Sequence, residues 1–273
     1  MSSSAIGSTS SKETVERLRK ELRQWERPRS ENLQDDVTST GVAVLDDFLP
    51  DSGIGAGELV EWQADRGCGA LSLAMLQLRA VLAARSVGMA VVIDPAKTFS
   101  PVAAALWGLD LDRLIIVRPQ SANQAVWVME QCLRCSGVVG VCGRLGGISD
   151  TSARRLKLAA RTGGGVGLFL RDNLPNKMTR RQPASSWSDI RWHVEPVAVS
   201  SGQNDRQDVI AGRRLRVELV SCRTGRAGRT VEIDICDETG LVRQASRVAS
   251  ATGSQPFSIP NNPRRARSFQ RTG

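Results

Sequence analysis

Histidine is almost absent from this chain of 273 residues, and its scarcity restricts the metal sites that the chain can build. His193 is the single histidine, and we interpret it as a structural residue. A structural zinc site needs four ligands, usually two CxxC pairs or one pair plus histidines. The six cysteines provide one CxxC, Cys132 and Cys135, and their irregular spacing does not suggest a disulfide framework. The sequence therefore predicts no metal site.

Long apolar runs are also lacking. No run approaches the roughly 18 consecutive apolar residues that a membrane helix requires. Residues 1–20 contain no apolar core of the kind found in a secretory signal. These absences predict a soluble, cytoplasmic protein with no membrane partner. The net charge of +9 favours an acidic partner, with nucleic acid as the first candidate.

The two ends of the chain differ in composition from its centre. Residues 1–37 are predicted to hold a Ser-rich start, one short helix and a linker. The helix has a single apolar stripe at spacings of three and four, and this stripe is a candidate partner-binding surface formed by Val15, Leu18, Leu22 and Trp25. Residues 249–273 read as a disordered basic tail. Its further candidates for partner or nucleic-acid binding are Arg264, Arg265 and Arg267.

The central part, residues 38–248, is predicted to be one domain. Apolar strands and helices alternate from residue 57 to residue 172, which predicts an α/β fold with a mainly parallel sheet and helices on both faces. A polar loop follows Asp172. The stretches RLRVELVSCR and RTVEIDIC then predict a late antiparallel strand pair joined by a glycine-containing turn.

Residues 57–78, GELVEWQADRGCGALSLAMLQL, have the strand–turn–helix layout of a phosphate-binding loop. Ala70 and Leu71 stand where such a loop carries Lys followed by Ser or Thr. The backbone N–H groups of the turn would still favour an anion, so weak nucleotide or phosphate binding stays open beside a purely structural turn. The candidate residues of this degenerate loop are Ala64, Arg66, Gly67, Gly69, Ala70 and Leu71.

Aromatic and basic residues are interleaved around the polar loop that follows Asp172. This combination suits single-stranded DNA, because bases stack on aromatic rings while phosphates pair with cations. A solvated loop is the alternative. The candidate DNA-binding residues are Lys177, Arg180, Arg181, Trp187, Arg191 and Trp192. By contrast, Trp62, Trp107 and Trp127 lie in apolar segments and are predicted to be core residues.

Three stretches resemble RecA-type recombinases in the same order along the chain. TGVAVLDDFLPDSGIGAGELVEW is similar to the lead into that family's nucleotide loop. VVIDPAKTFSPVAAALWGLDLDRLIIVRP resembles its second strand, the next helix and the third strand. LRVELVSCRTGRAGRTVEIDI resembles its late strand pair. The resemblance covers roughly residues 38–240 and implies a RecA-like core.

The chain departs from the recombinase pattern at the positions with chemical roles. By this resemblance, Ala64 replaces the first glycine of the loop, Ala70 the phosphate-binding lysine and Leu71 the metal-binding hydroxyl. Other replacements are Ala96 for the catalytic glutamate, Cys142 and Gly143 for the acidic residue at a strand end, and Arg223 for two lysines. The resemblance therefore implies a protein that is not an enzyme and needs no cofactor.

This combination resembles the ImuA family of RecA-like accessory proteins. The resemblance implies a non-enzymatic adaptor in the bacterial DNA-damage (SOS) response that links a translesion polymerase assembly to RecA or DNA. The implied partners are RecA and an ImuB-type polymerase-like protein, with single-stranded DNA as a further candidate. One alternative is a weak ATP-dependent DNA-binding protein in which Arg66 or Arg223 replaces the missing lysine. A second is an inhibitor of cell division similar to SulA.

Overall fold

The structure is a computed structural model that describes residues 37–146, 148–172, 187–198, 212–223 and 227–245. The predicted N-terminal stripe, the tail arginines and three of the candidate DNA-binding residues, Lys177, Arg180 and Arg181, lie outside these residues. In chain order the elements are β1 (Val37–Thr38), α1 (Ala43–Asp46), β2 (Ile54–Gly55), β3 (Leu59–Ala64), α2 (Ala70–Ala83), β4 (Met89–Ile93), α3 (Pro101–Leu106), β5 (Leu114–Val117), α4 (Ala122–Arg134), β6 (Val138–Arg144), α5 (Asp150–Gly163), β7 (Val166–Asp172), β8 (Ile190–Pro196), β9 (Gly212–Cys222), β10 (Thr230–Cys236) and β11 (Val242–Gln244). A short 3₁₀ turn, Leu111–Arg113, precedes β5.

Nine of these strands form one sheet in the order β11-β10-β9-β8-β3-β7-β6-β4-β5. The six strands from β8 to β5 are parallel, whereas β9, β10 and β11 join antiparallel. The predicted α/β fold with a mainly parallel sheet and a late antiparallel pair is therefore confirmed. The strands β1, β2 and β11 were not predicted, because two or three residues are too few to show an alternating pattern.

Helices cover both faces of the parallel part of the sheet. On one face, α2 and α3 contribute Leu73 and Ala104 to the larger of two apolar clusters. On the other face, α4 and α5 contribute Met129 and Leu156 to the second cluster. Because strands in this position are buried on both faces, their sequences are nearly continuous apolar runs, as in Val166–Asp172.

The tryptophans occupy three different environments. Trp62 on β3 is buried, and its indole stacks on Trp192 of β8 at a centroid distance of 5.7 Å. Trp107 is half-buried, and its Nε1 donates to the Asp237 carbonyl oxygen at 3.0 Å. Trp127 is 58% exposed, so the prediction that it is a core residue is wrong. The buried stripe of α4 includes Ala125, and Trp127 lies about 200° around the helix from it.

The Arg-rich late hairpin pairs its charges internally. Arg214 lies opposite Asp234 in the register of β9 and β10, and its Nε lies 2.7 Å from the carboxylate. Arg216 likewise lies opposite Glu232, at 2.8 Å. Directly opposed pairs of unlike charge stabilise an antiparallel ladder. These two arginines therefore serve the hairpin rather than forming an uncompensated basic surface.

The carboxyl ends of the parallel strands meet at one edge of the sheet. Ala64, at the end of β3, is in register with Asp172, at the end of β7. Ile93, at the end of β4, is in register with both Val117 on β5 and Gly143 on β6. In open α/β sheets, ligands bind in the crevice at this edge, and the phosphate-loop-like turn also lies here.

Candidate functional site

The turn between β3 and α2 keeps the backbone shape that its glycines allow. Gly67 and Gly69 have φ values of 81° and 90°, in the left-handed region that favours glycine. The Cys68 N–H donates to the Asp65 carbonyl at 3.1 Å and closes the turn. A Cβ on Gly69 would collide with the side chain of Leu215 on β9, whereas a Cβ on Gly67 would meet no atom of the described residues within 4 Å. The turn is thus packed against the sheet on one side only.

Replacing Gly69 with alanine is expected to destabilise the fold by about 1–3 kcal/mol more than replacing Gly67 with alanine. Both variants place alanine at a similar positive φ, so the difference isolates the collision with Leu215. Urea unfolding of the two variants measures it. Equal losses of unfolding free energy would show that the turn does not rest on Leu215.

The positions that resemble recombinase chemistry offer no group suited to a magnesium–nucleotide complex. Ala70 is buried at the start of α2, and Leu71 presents an apolar side chain to the cleft. Cys142 is buried on β6, and burial raises the pKa of its thiol to about 12, so the thiol stays neutral. Gly143 and Ala96 add no side-chain ligand. Phosphoryl transfer relies on charge neutralisation, and the side chains of Ala70, Leu71, Ala96 and Cys142 are uncharged.

A carboxylate joins the turn to the neighbouring strand ends. Asp172 at the end of β7 accepts from Arg66 Nε at 3.0 Å through Oδ2. Its Oδ1 accepts from Arg144 Nη1, at the end of β6. Burial, followed by the nearby Arg66 charge, lowers the pKa of the Arg144 guanidinium below its usual value. Arg66, the cation that the sequence suggested for a phosphate, is therefore held by an internal anion.

A cleft of about 1040 Å³ opens beside this triad, along the carboxyl ends of β4, β5, β6 and β7. Its apolar lining includes Leu71, Val92 and Leu170. Its cationic side chains are Arg66, Lys97, Arg118, Arg144 and Arg171, and its acidic ones are Asp94 and Asp172. Apart from Arg66, these charged residues were not identified from the sequence, because only the strand order brings their chain positions together.

Two of the candidate DNA-binding residues are part of the core, and the prediction is corrected for both. Trp192 has no exposed surface and packs between Trp62 and Phe48, so its ring has no free face for a base. Arg191 is buried, with Nε 3.3 Å from a carboxylate oxygen of Glu61. Trp187 is half-buried, and its ring meets Phe169 edge-on at 4.6 Å.

Arg223 lies at the opposite edge of the sheet from the turn. Its Nη1 is 3.5 Å from Asp189, and Asp189 exchanges two hydrogen bonds with the backbone of Leu59, where β3 begins. The idea that Arg223 replaces the loop lysine within the same chain is therefore wrong. Arg213, which the sequence analysis missed, does reach the helix after the turn. Its Nη2 donates to Ser72 Oγ at 3.0 Å.

Other sequence predictions concern side chains away from the cleft. His193 Nε2 lies 3.0 Å from Glu195 Oε1 on the same strand. Neither residue lines the cleft. Within the described ranges, no three His, Cys, Asp or Glu side chains are grouped so that they could hold a metal ion. No helix among the residues that the structure describes combines the length and apolar character needed to span a bilayer.

A parallel sheet whose central strand leads through a glycine turn into a helix, with an antiparallel hairpin added late, defines a RecA-like α/β core. The comparisons with known proteins agree with this class. A sequence profile of the RecA N-terminal domain matches residues 24–142. The chain is 24% identical to protein RecA of Chlorobaculum tepidum in a match that covers 75% of this chain and 66% of that protein. It is 26% identical to protein RecA of Acidothermus cellulolyticus in a match that covers 78% of this chain and 69% of that protein.

A shorter match has a higher identity: 33% over 109 residues to protein RecA of Rhodopirellula baltica, 40% of this chain and 28% of that protein. These matches make the chain similar to RecA proteins over the stated ranges. In the longer matches, this chain spans about two thirds of the length of the RecA proteins.

Proposed function

We propose that this chain is a non-enzymatic RecA-like adaptor of the ImuA type in the bacterial DNA-damage response. Its role would be to link a translesion polymerase assembly to RecA or to DNA. The observation behind this proposal is a RecA-like sheet and turn that persist while the residues of phosphoryl transfer are missing. Ala70, Leu71 and Ala96 stand at the positions that resemble the lysine, the hydroxyl and the glutamate of the recombinases.

The proposal includes the absence of ATP hydrolysis. A single positioned arginine can contribute about a thousandfold to phosphoryl transfer, and several charged groups are missing here together. The purified chain is therefore expected to release no phosphate from ATP and magnesium above a no-protein blank, with or without single-stranded DNA. Release that depends on single-stranded DNA would argue for the alternative, an ATP-dependent DNA-binding protein.

Partner binding is expected to depend on the apolar stripe of residues 15–25. An amphipathic helix binds by laying its apolar face into a groove of the partner. A glutamate at Leu22 would put a charge into that contact and is expected to weaken capture by about tenfold or more. The measurement is capture of RecA filaments, and separately of the ImuB-type protein, by the immobilised full chain.

The control for the partner experiment is Gln24→Glu, which adds the same charge two positions along, away from the apolar stripe. Capture should survive this substitution. If neither RecA nor the ImuB-type protein is captured by the unmodified chain, the adaptor proposal fails. If both variants bind equally well, the stripe is not the binding surface.

A further inference from the structure

The triad at the carboxyl edge of the sheet holds more positive than negative charge. Arg66 and Arg144 both contact the single carboxylate of Asp172. The side chain of Arg66 is 74% exposed, so it can change partner without disturbing the core. Arg144 is more enclosed, with 30% of its side chain exposed. One carboxylate therefore holds together two guanidinium groups that would otherwise repel each other.

The rest of the cleft adds to this positive charge. Lys97 also lines the cleft. Asp94 offers little compensation, because its carboxylate already accepts from the backbone N–H groups of Thr98 and Phe99 at 3.0 and 3.1 Å. Arg118 is 4.0 Å from Asp94, at the limit of an ion pair. Among the described residues that line the cleft, Arg171 is paired with buried Glu61 at 3.2 Å, which leaves Arg66, Lys97, Arg118 and Arg144 facing two carboxylates that are both engaged.

We propose that this cleft binds a phosphate-bearing ligand through the guanidinium groups of Arg66 and Arg144, and that Asp172 occupies this anion site when no ligand is bound. The site differs from a phosphate-binding loop in its donors. Arginine side chains from the turn and from the end of β6 take the place of a loop lysine and a metal ion.

The chemistry favours phosphate over other anions. Guanidinium groups present paired N–H donors that match the oxygens of phosphate, and such charge-assisted hydrogen bonds are about twice as strong as neutral ones. A phosphate dianion also neutralises both arginines, whereas the Asp172 carboxylate neutralises one unit of charge. Lys97 and Arg118 give a second phosphate, or the next phosphate of a strand, a place in the same cleft.

Asp172 also sets how tightly the site binds. Because the carboxylate is tethered beside both arginines, an incoming phosphate must displace it, and the apparent affinity falls accordingly. Asp172→Asn removes the charge while keeping the size of the side chain. The purified Asp172→Asn variant is expected to bind pyrophosphate, without magnesium, at least about tenfold more tightly than the unmodified chain.

Equilibrium dialysis with labelled pyrophosphate measures this gain, and circular dichroism confirms that each variant is folded. Arg66→Gln and Arg144→Gln, each added to Asp172→Asn, are expected to abolish the gain. The matched control is Asp234→Asn, which removes another partly buried carboxylate held by an arginine, but on the late hairpin. A gain in that control, a gain that survives both arginine substitutions, or no gain in Asp172→Asn would overturn the proposal.

A second arm distinguishes the source of the phosphate. Fluorescence anisotropy of a labelled oligothymidylate reports binding of a nucleic-acid backbone by the same variants. If the oligonucleotide gains affinity in Asp172→Asn and pyrophosphate displaces it, the cleft takes backbone phosphates. If pyrophosphate alone gains, the ligand is a free phosphate compound. Both arms use the purified chain without any partner, so their result is separate from that of the adaptor experiment.

Discussion

Replacing Glu61 with alanine is expected to lower the free energy of unfolding by about 3–5 kcal/mol, because it removes the counter-charge of buried Arg191 and of half-buried Arg171. Glu61 lies on the central strand β3 with 1% of its side chain exposed. Its two oxygens lie 3.2 Å from Arg171 Nη1 and 3.3 Å from Arg191 Nε, and Ser188 Oγ donates to it as well. Arg191 is itself buried, so the lost carboxylate cannot be replaced by water.

Glu232→Ala is the control for this prediction. Glu232 pairs with Arg216 on the late hairpin, where both side chains are about a third or more exposed. Exposed pairs contribute about 0–1 kcal/mol, so this variant is expected to unfold close to the unmodified chain. Urea unfolding of both variants measures the difference. Losses within about 0.5 kcal/mol of each other would mean that the Glu61 network contributes no more than a surface pair.

Replacing Trp192 with alanine is expected to cost a similar amount, about 3–5 kcal/mol, because it leaves a cavity in the larger apolar cluster. Its indole stacks on Trp62 and meets Phe48 at a centroid distance of 6.2 Å. A DNA-stacking residue would instead lose DNA affinity with little change in stability. The substitution therefore tests whether this tryptophan belongs to the core or to a binding surface.

Trp127→Ala makes the same chemical change at an exposed position on α4. It is expected to change the unfolding free energy by no more than about 0.5 kcal/mol. Circular dichroism should follow unfolding in both variants, because each substitution alters the tryptophan fluorescence. A stable, folded Trp192→Ala with unchanged urea midpoint would contradict the core assignment.

The order and type of the main elements could be predicted from local patterns, because buried parallel strands and amphipathic helices have distinct periods. The helix α4 shows how far this goes. Its stripe of Ala125, Met129 and Leu133 at spacings of four predicts the buried face, and the same spacing shows that Trp127 points elsewhere. A prediction made for the apolar segment as a whole does not separate Trp127 from the residues of the buried face.

The candidate site could be predicted only in part. The turn at residues 64–71 was found because its shape is encoded within a few residues by Gly67 and Gly69. The partner of Arg66 could not be found in the same way, since Asp172 lies 106 positions further along the chain. Only the strand order places the ends of β3, β6 and β7 side by side.

The burial of residues 190–196 could not be predicted from the sequence of that segment alone. IRWHVEP alternates in a way that fits either a half-exposed strand or a buried one with paired charges. The strand is buried because it lies beside β3, where Trp192 is in register with Trp62 and Arg191 with Glu61. Aromatic and basic residues in alternation are thus compatible with an internal ion network as well as with a nucleic-acid surface.

The position of β3 in the sheet has a consequence for how the protein is made. This strand is synthesised early, yet both of its sheet neighbours, β7 and β8, come more than a hundred residues later. Pairings between distant parts of a chain form slowly. A nascent chain on the ribosome therefore holds β3 with two open edges until β7 has left the exit tunnel, and with one open edge until β8 follows, so during translation this central strand is exposed to aggregation and to chaperones.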